Sequence, residues 1–319
     1  MTDIVVVETP ARLHFGLLDL RGGLGRRFGG LGAPAPGVSA RVSASKAPKV
    51  VAEGAEAERA AEFARRFLAY YRLPGGARIV VERSIPPHAG LGSGTQLALS
   101  VARALAELHA VAASPPELAQ AVGRAKRSAV GTWTFACGGL VVEGGRRVGV
   151  DDDVGPLLAR HPFPHAWRCV LAIPDAAPGV SGAAEAEAFA GLPTPDGRDS
   201  ERVSHLVLMA MLPAITQGDL AAFGAALNEV QEINGRWFFR AQGGTFAPGP
   251  STEIIRLMRA SGAPGVGQSS WGPSVYAIVD GDVAARALAV QIRDRYGGRV
   301  AVHTGPFPSA GASVSRTSR

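Results

Sequence analysis

The chain has 319 residues, enough for about two domains at roughly 150 residues each. Its 46% hydrophobic and 19% charged content is that of a globular protein. Apolar runs fall far short of the ~20 residues a bilayer span needs. The N-terminus lacks a basic start, a long apolar stretch and a small-residue cleavage site, so a cytoplasmic protein is expected, with no membrane partner. The net charge of +6 is carried by dispersed basic residues, almost all arginine, with Lys46, Lys49 and Lys126 the three lysines. Aromatic residues make up 6% and do not interleave with the basic ones, so nucleic acid is not an expected partner. A modest positive excess fits a small anionic substrate.

In chain order, residues 4–8 read as a strand and 13–20 as a second apolar stretch. Residues 22–37 are so rich in glycine that they read as a loop outside the core, and 38–42 resume strand character. Apolar residues at helical spacing place an amphipathic helix over 56–72. A strand at 77–81 precedes an Ala-rich helix over 94–112. Ser114, two prolines and Glu117 form a capping-box helix start. Residues 138–142 and 148–150 look like a hairpin around Glu143. The prolines at 162 and 164 mark a linker between two α+β units, 1–160 and 165–308, with 309–319 as a flexible tail. In the second unit the expected strand at 168–173 leads to a loop over 174–198. Helices follow at 203–216, at 220–233 with Asp219 as N-cap, and at 252–261. A glycine loop at 262–273, a strand at 275–279, a helix at 283–296 and a strand at 299–303 complete the unit.

Cys137 and Cys169 cannot make a disulfide framework or a four-thiolate zinc site, and read as small buried hydrophobes. His161 and His165 are separated by prolines that spoil a helical metal pair. Residues 148–154 have a slight likeness to the acidic motif of ordinary phosphoribosyltransferases but lack its Thr-Gly ending, and read as an exposed strand end.

Three segments carry chemistry. Gly90, Leu91, Gly92, Ser93, Gly94, Thr95 and Gln96 run into a helix. A glycine-and-hydroxyl loop at a helix N-terminus offers backbone N–H groups and the positive dipole end to a phosphate. No lysine follows the last glycine, so this is not a Walker loop, and the spacing is wrong for a dinucleotide fingerprint. The second segment sets Arg12, His14, Asp19 and Arg26 among apolar residues, where polar groups without partners are costly. The third is Gly265, Val266, Gly267, Gln268, Ser269, Ser270, Trp271 and Gly272.

Together these segments resemble the GHMP kinase superfamily across nearly the whole chain. Within it the blocks at 13–19, 90–96 and 267–273 are most similar to the β-ribofuranosylaminobenzene 5′-phosphate synthase branch. The resemblance implies a superfamily-type α+β N-terminal domain, a ferredoxin-like C-terminal domain and a homodimer. Many superfamily kinases supply a catalytic carboxylate from a Ser-Gly-x-Asp stretch. The corresponding residues here are Ser128, Ala129, Val130 and Gly131, and no acidic residue occurs between Glu117 and Glu143. An alcohol nucleophile therefore has no obvious base, which argues against phosphoryl transfer.

The implied reaction joins phosphoribosyl diphosphate to 4-aminobenzoate or 4-hydroxybenzoate with loss of carbon dioxide and diphosphate, in methanopterin biosynthesis. It calls for a diphosphate cradle, Mg2+ and stabilisation of an oxocarbenium-like centre. Asp19 and Arg26 are the expected catalytic residues, with Asp19 also the expected metal ligand. Arg12, His14, Gly90, Gly92, Ser93, Gly94, Thr95, Gln96, Gly265, Gly267, Gln268, Ser269 and Ser270 are expected to bind substrate. The alternative is an ATP-dependent small-molecule kinase of the same fold.

Overall fold

The computed structural model describes residues 3–176, 187–192 and 196–318. Strand β1 (Asp3–Asp19) pairs along nearly its whole length with β2 (Arg26–Ala47). Strands β3 (Val51–Gly54) and β4 (Gly76–Arg83) extend the sheet beyond β2. Helices α1 (Ala57–Tyr70) and α2 (Ser93–Leu108) contribute Phe63, Phe67, Leu99 and Leu105 to a core with Val5, Val42 and Ile79 of the sheet. The capping box forms at the start of α3 (Pro115–Ala121). Helix α4 (Val130–Cys137) follows, then β5 (Leu140–Glu143), β6 (Arg146–Arg147) and β7 (Leu157–His161).

The second half opens with β8 (Trp167–Pro174). Helix α5 (Gly197–Leu206) runs through a π turn at Val207–Met211 into α6 (Leu212–Gln217), so the helix expected from residue 203 begins six residues earlier. Helix α7 (Leu220–Gln242) is capped by Asp219, whose carboxylate accepts from the Ala222 N–H, and extends nine residues past its expected end. Helix α8 (Pro250–Ala260), strands β9 (Gly265–Gln268) and β10 (Val275–Asp280), helix α9 (Gly281–Tyr296) and strand β11 (Val300–Gly305) complete this half. The antiparallel sheet has the order β11-β8-β10-β9, which is the ferredoxin-like arrangement. Helices α8 and α9 cover one face through Ile254, Met258, Leu288 and Ile292. The other face joins the first half: Leu171, Tyr276 and Ile278 share a core with Phe223 and Leu227 of α7 and with Leu13 and Phe15 of β1. The Phe15 and Tyr276 rings lie 4.9 Å apart.

Four expectations need correction. The glycine-rich stretch is mostly strand: only residues 20–25 turn, and β2 is buried from Phe28 to Pro36. Its glycines answer to packing, because a Cβ at Gly32 would lie 2.6 Å from Val130 Cγ1 of α4, and one at Gly30 3.1 Å from Val130 Cγ2. The hairpin around Glu143 does not form. Strand β5 pairs with β2 and β7, and β6 pairs with the start of β2. The 262–273 loop contains β9, whose Gly265 closes on Gly224 of α7. Finally, residues 313–318 of the expected flexible tail form β12 (Ser313–Ser318), antiparallel to β1. Its Arg316 pairs with Glu107 of α2 at 2.8 Å. Of the expected 174–198 loop, residues 177–186 and 193–195 lie outside the described residues. Cys169 is buried, while Cys137 is half-buried. Among the described residues no helix is long and apolar enough to cross a membrane.

Candidate active site

A cavity of about 680 Å³ opens where α2 begins, between the two halves of the shared core. The N-cap of α2 is Gly92, in the left-handed region at φ 73°, and no side chain caps the helix. The N–H groups of Ser93 and Gly94 in the first turn are therefore available to an anion, at the positive end of the helix dipole. Gly94 is small for a reason: a Cβ there would run into Nη2 of Arg59 and lie 3.1 Å from Nη2 of Arg124. Two guanidinium groups from α1 and the α3–α4 connection thus close onto the helix terminus.

The three sequence segments meet at this point through a short set of hydrogen bonds. The Arg12 N–H donates to Leu91 O at 3.0 Å and Arg12 Nη1 to Gly90 O at 2.7 Å. Ser269 Oγ donates to the same Gly90 oxygen at 2.7 Å and accepts from the His14 N–H at 3.0 Å. One buried hydroxyl therefore ties the first segment to the glycine loop. Gly90 itself admits no side chain, because a Cβ would collide with Ser269 O and come within 2.9 Å of Gly272 O.

Arg12, His14, Gly90, Gly92, Ser93, Gly94, Thr95, Gln268 and Ser270 line the cavity. Four expected substrate-binding residues stand behind its wall. Gln96 is fully buried, accepting from Thr9 Oγ1 at 2.8 Å and donating to Gly131 O at 3.0 Å. Ser269 makes the bridge just described, while Gly265 and Gly267 let α7 and Tyr276 approach β9. Asp19 and Arg26 are not in the lining. The Asp19 carboxylate accepts from the N–H groups of Arg21 and Gly22 and from Ser200 Oγ, which anchors the β1–β2 turn to α5. Arg26 is largely exposed and donates to Gly145 O at 2.7 Å.

Sequence reasoning missed several of the lining residues. Arg59, Arg124, Lys126 and Arg127 join Arg12 around the cavity, with Glu56 the acidic member of the lining, ion-paired to Arg59. The end of the cavity at the α2 N-terminus is thus strongly cationic. The lining also holds a cluster of three aromatic rings: Trp271 lies 4.8 Å from Phe238 and 5.7 Å from Phe189, ring centre to ring centre, and Arg127 sits over the Phe189 ring at 4.9 Å. Phe189 and Phe238 lie outside the three segments, so no local pattern announced them, whereas Trp271 stands in the third.

From the cavity lining a polar chain runs inward. His14 Nε2 is 3.0 Å from Ser128 Oγ, and Ser128 Oγ is 3.2 Å from Glu143 Oε1. Glu143 is fully buried and also accepts from the N–H groups of Ala129 at 3.1 Å and Gly145 at 2.8 Å. Burial pushes its carboxyl up to about 7 in spite of these donors. Burial, with the Arg12 guanidinium beside it, pushes the His14 imidazole down to about 3.

The residues present do not fit a resident metal ion. Among the described residues no three His, Cys, Asp or Glu side chains converge, and both Asp19 oxygens are taken by its own turn and Ser200. A magnesium ion here would rely on the oxygens of a bound polyphosphate, the usual manner for that ion.

The GHMP kinase N-terminal domain family matches residues 56–139 and the GHMP kinase C-terminal family residues 211–298. A beta-ribofuranosylphenol 5'-phosphate synthase of Methanothermobacter thermautotrophicus is 38% identical over 90% of this chain and 93% of its own length. One from Archaeoglobus fulgidus is 35% identical over 91% and 92%. Among solved structures, homoserine kinase from Cytophaga hutchinsonii superposes with a TM-score of 0.70 at 17% identity, covering 99% of this chain and 98% of that one, a likeness of fold. The chain belongs to the GHMP kinase family and, within it, to the group of the beta-ribofuranosylphenol 5'-phosphate synthases.

Proposed function

We propose that the chain is a decarboxylating phosphoribosyltransferase of methanopterin biosynthesis. It would join the anomeric carbon of phosphoribosyl diphosphate to the carboxylate-bearing ring carbon of a para-substituted benzoate, releasing carbon dioxide and diphosphate. The observation that carries this reading is the pairing, in one cavity, of a cationic helix-terminus cradle with a wall of three aromatic rings. The cradle suits a diphosphate and the wall suits a flat aromatic acid. The relatives' name describes a phenol product, which favours 4-hydroxybenzoate over 4-aminobenzoate as acceptor.

In this reading Arg12, Arg59, Arg124 and the Ser93 and Gly94 N–H groups hold the diphosphate and stabilise the charge it gathers as it leaves. A magnesium ion, where the reaction uses one, would be bound by diphosphate oxygens rather than by side chains of this chain. Phe189, Phe238 and Trp271 flank the benzoate ring, and Arg127 offers a partner for its carboxylate. Asp19 and Arg26 act from the β1–β2 turn outside the lining, and substitution of either measures how far that turn shapes the site. A homodimer in the cytoplasm completes the proposal, with sedimentation of the purified chain as its check.

The test is direct. The purified chain with Mg2+, phosphoribosyl diphosphate and either benzoate should release carbon dioxide and diphosphate together in equal amounts. Formation of ADP from ATP and an alcohol at enzymatic rates, with no carbon dioxide from either benzoate, would overturn the reading in favour of a kinase.

A further inference from the structure

The chain of His14, Ser128 and Glu143 runs from the cavity lining to the end of β5. A buried carboxylate is costly unless used or fully bonded. Glu143 has three donors around it, and one of them, Ser128, also lines the cavity beside His14. We propose that Glu143 is the terminal proton acceptor for a para-hydroxyl acceptor substrate, reached through Ser128 and His14. This inference rests on the function proposed above and adds to it the route by which the acceptor is activated.

The arrangement suits a relay. With a proton on His14 Nε2, that N–H donates to Ser128 Oγ and the Ser128 hydroxyl donates to Glu143 Oε1. His14 belongs to the cavity lining, and in this relay its Nδ1 would be the atom that accepts from a substrate hydroxyl. Burial and Arg12 keep the imidazole from holding a second proton, so a proton taken at Nδ1 is passed on. The carboxyl at the far end favours its protonated form far more than an exposed one does.

The charged groups around the chain are few. Arg12 on β1 flanks His14, and Lys126 and Arg127 precede Ser128. From β2 the residues paired with β5 are Gly30, Leu31 and Gly32, which carry no charge. From β7, Leu157 faces Glu143, while Arg160 and His161 face Val141 and Leu140. Arg146, just beyond β5, donates to Lys126 O.

The step balances. The acceptor O–H breaks and its proton goes to His14 Nδ1, while the Nε2 proton passes to Ser128 and the Ser128 proton to Glu143. The oxygen's electron pair moves into the ring, and the ring carbon bearing the carboxylate bonds to the anomeric carbon as diphosphate leaves with the C–O pair. The bond to the carboxylate then breaks, its electrons restore the aromatic ring, and the phenolate oxygen takes its proton back along the same path. A 4-amino substituent donates its lone pair without losing a proton, so the relay matters most for the hydroxyl.

The experiment compares the wild-type enzyme with Ser128→Ala and Glu143→Gln on both benzoates across pH 5–9. With 4-hydroxybenzoate, wild-type kcat should fall on the acid side with a midpoint near 7, as Glu143 becomes protonated. In both variants that limb should vanish and kcat at pH 8 should drop by about 10²-fold, the usual scale for a positioned acid–base group. The drop should exceed any change seen with 4-aminobenzoate. Ser128→Ala removes one half-buried hydroxyl, so it keeps the test open should Glu143→Gln fold poorly. An unchanged acid limb in Ser128→Ala, equal losses on the two benzoates, or a wild-type enzyme that uses 4-aminobenzoate alone would each overturn the relay. A wild-type enzyme active on neither benzoate would instead overturn the function on which the relay depends.

Discussion

At the scale of single residues, His14 and Glu143 titrate in opposite senses, and stability should record it. The Glu143 carboxyl is raised from 4.5 to about 7, so the folded state holds its proton longer than the unfolded state. Its contribution is fully present below pH 4.5 and is lost as pH rises through 7, on the order of 3 kcal/mol in total. The His14 imidazole is lowered from 6.5 to about 3, so its contribution is present above pH 6.5 and is lost as pH falls through 3. Between pH 4.5 and 6.5 the two oppose and nearly cancel. Denaturant unfolding of Glu143→Gln should therefore show stability rising from pH 4.5 to 6.5, and His14→Gln should show it falling from pH 4.5 to 7. Matching slopes in the two variants would refute the assignment. His14 and Arg12 were legible in the sequence because polar groups stood out on an apolar strand. Glu143 was not, because its contact with Ser128 closes across α4 at a separation of 15 residues, which no local periodicity encodes. Asp19 and Arg26 drew attention for the same reason as His14, yet stand at the end of β1 and the start of β2, on either side of the turn and outside the cavity lining.

At the scale of elements, helices with one apolar face were readable from their period, and α1 and α2 begin within a residue of expectation. Strand β2 was hidden because glycine reports local freedom, while here Gly30 and Gly32 answer to Val130 of a helix a hundred residues on. The N-terminus of α2 allows a test that separates helix stability from anion binding. Gly94 is helical, so Gly94→Ala should favour the helix by up to ~1 kcal/mol. The added Cβ would displace Arg59 and Arg124, whose ends are flexible. The expected result is an unchanged or raised Tm, with KM for phosphoribosyl diphosphate raised about tenfold and KM for the benzoate nearly unaltered. A KM change shared equally by both substrates would argue against a dedicated phosphate end. Gly92→Ala is the contrasting variant. Its φ of 73° makes any side chain strained, and a Cβ would lie 2.7 Å from Arg12 Cγ, so it should lose both stability and affinity.

At the scale of the whole molecule, the cavity exists because the second half is clamped to β1. The clamp could not be read from the sequence, since it joins residues more than two hundred positions apart. Gln231 Nε2 donates to Phe15 O at 2.6 Å, and its Oε1 accepts from the Gln268 N–H at 2.8 Å. Asn234 accepts from the Leu17 N–H at 2.7 Å and donates to Leu17 O at 3.1 Å, copying the pairing of a neighbouring strand. Gly16 lies between these contacts, and a Cβ there would come 2.9 Å from Val230 Cγ1, so β1 and α7 touch at the closest spacing the chain allows. Asn234 is buried, so Asn234→Ala leaves a main-chain N–H and C=O without partners in an apolar setting. Each such loss costs about 1–3 kcal/mol, and Tm should fall by several degrees. Helix α7 also carries Phe238 of the aromatic wall, and β1 carries Arg12 of the phosphate end. Loosening the clamp should therefore raise KM for both substrates together, unlike Gly94→Ala. Measured below the new Tm, an Asn234→Ala enzyme with lowered stability and wild-type KM values would show that the clamp supports the fold without setting the site.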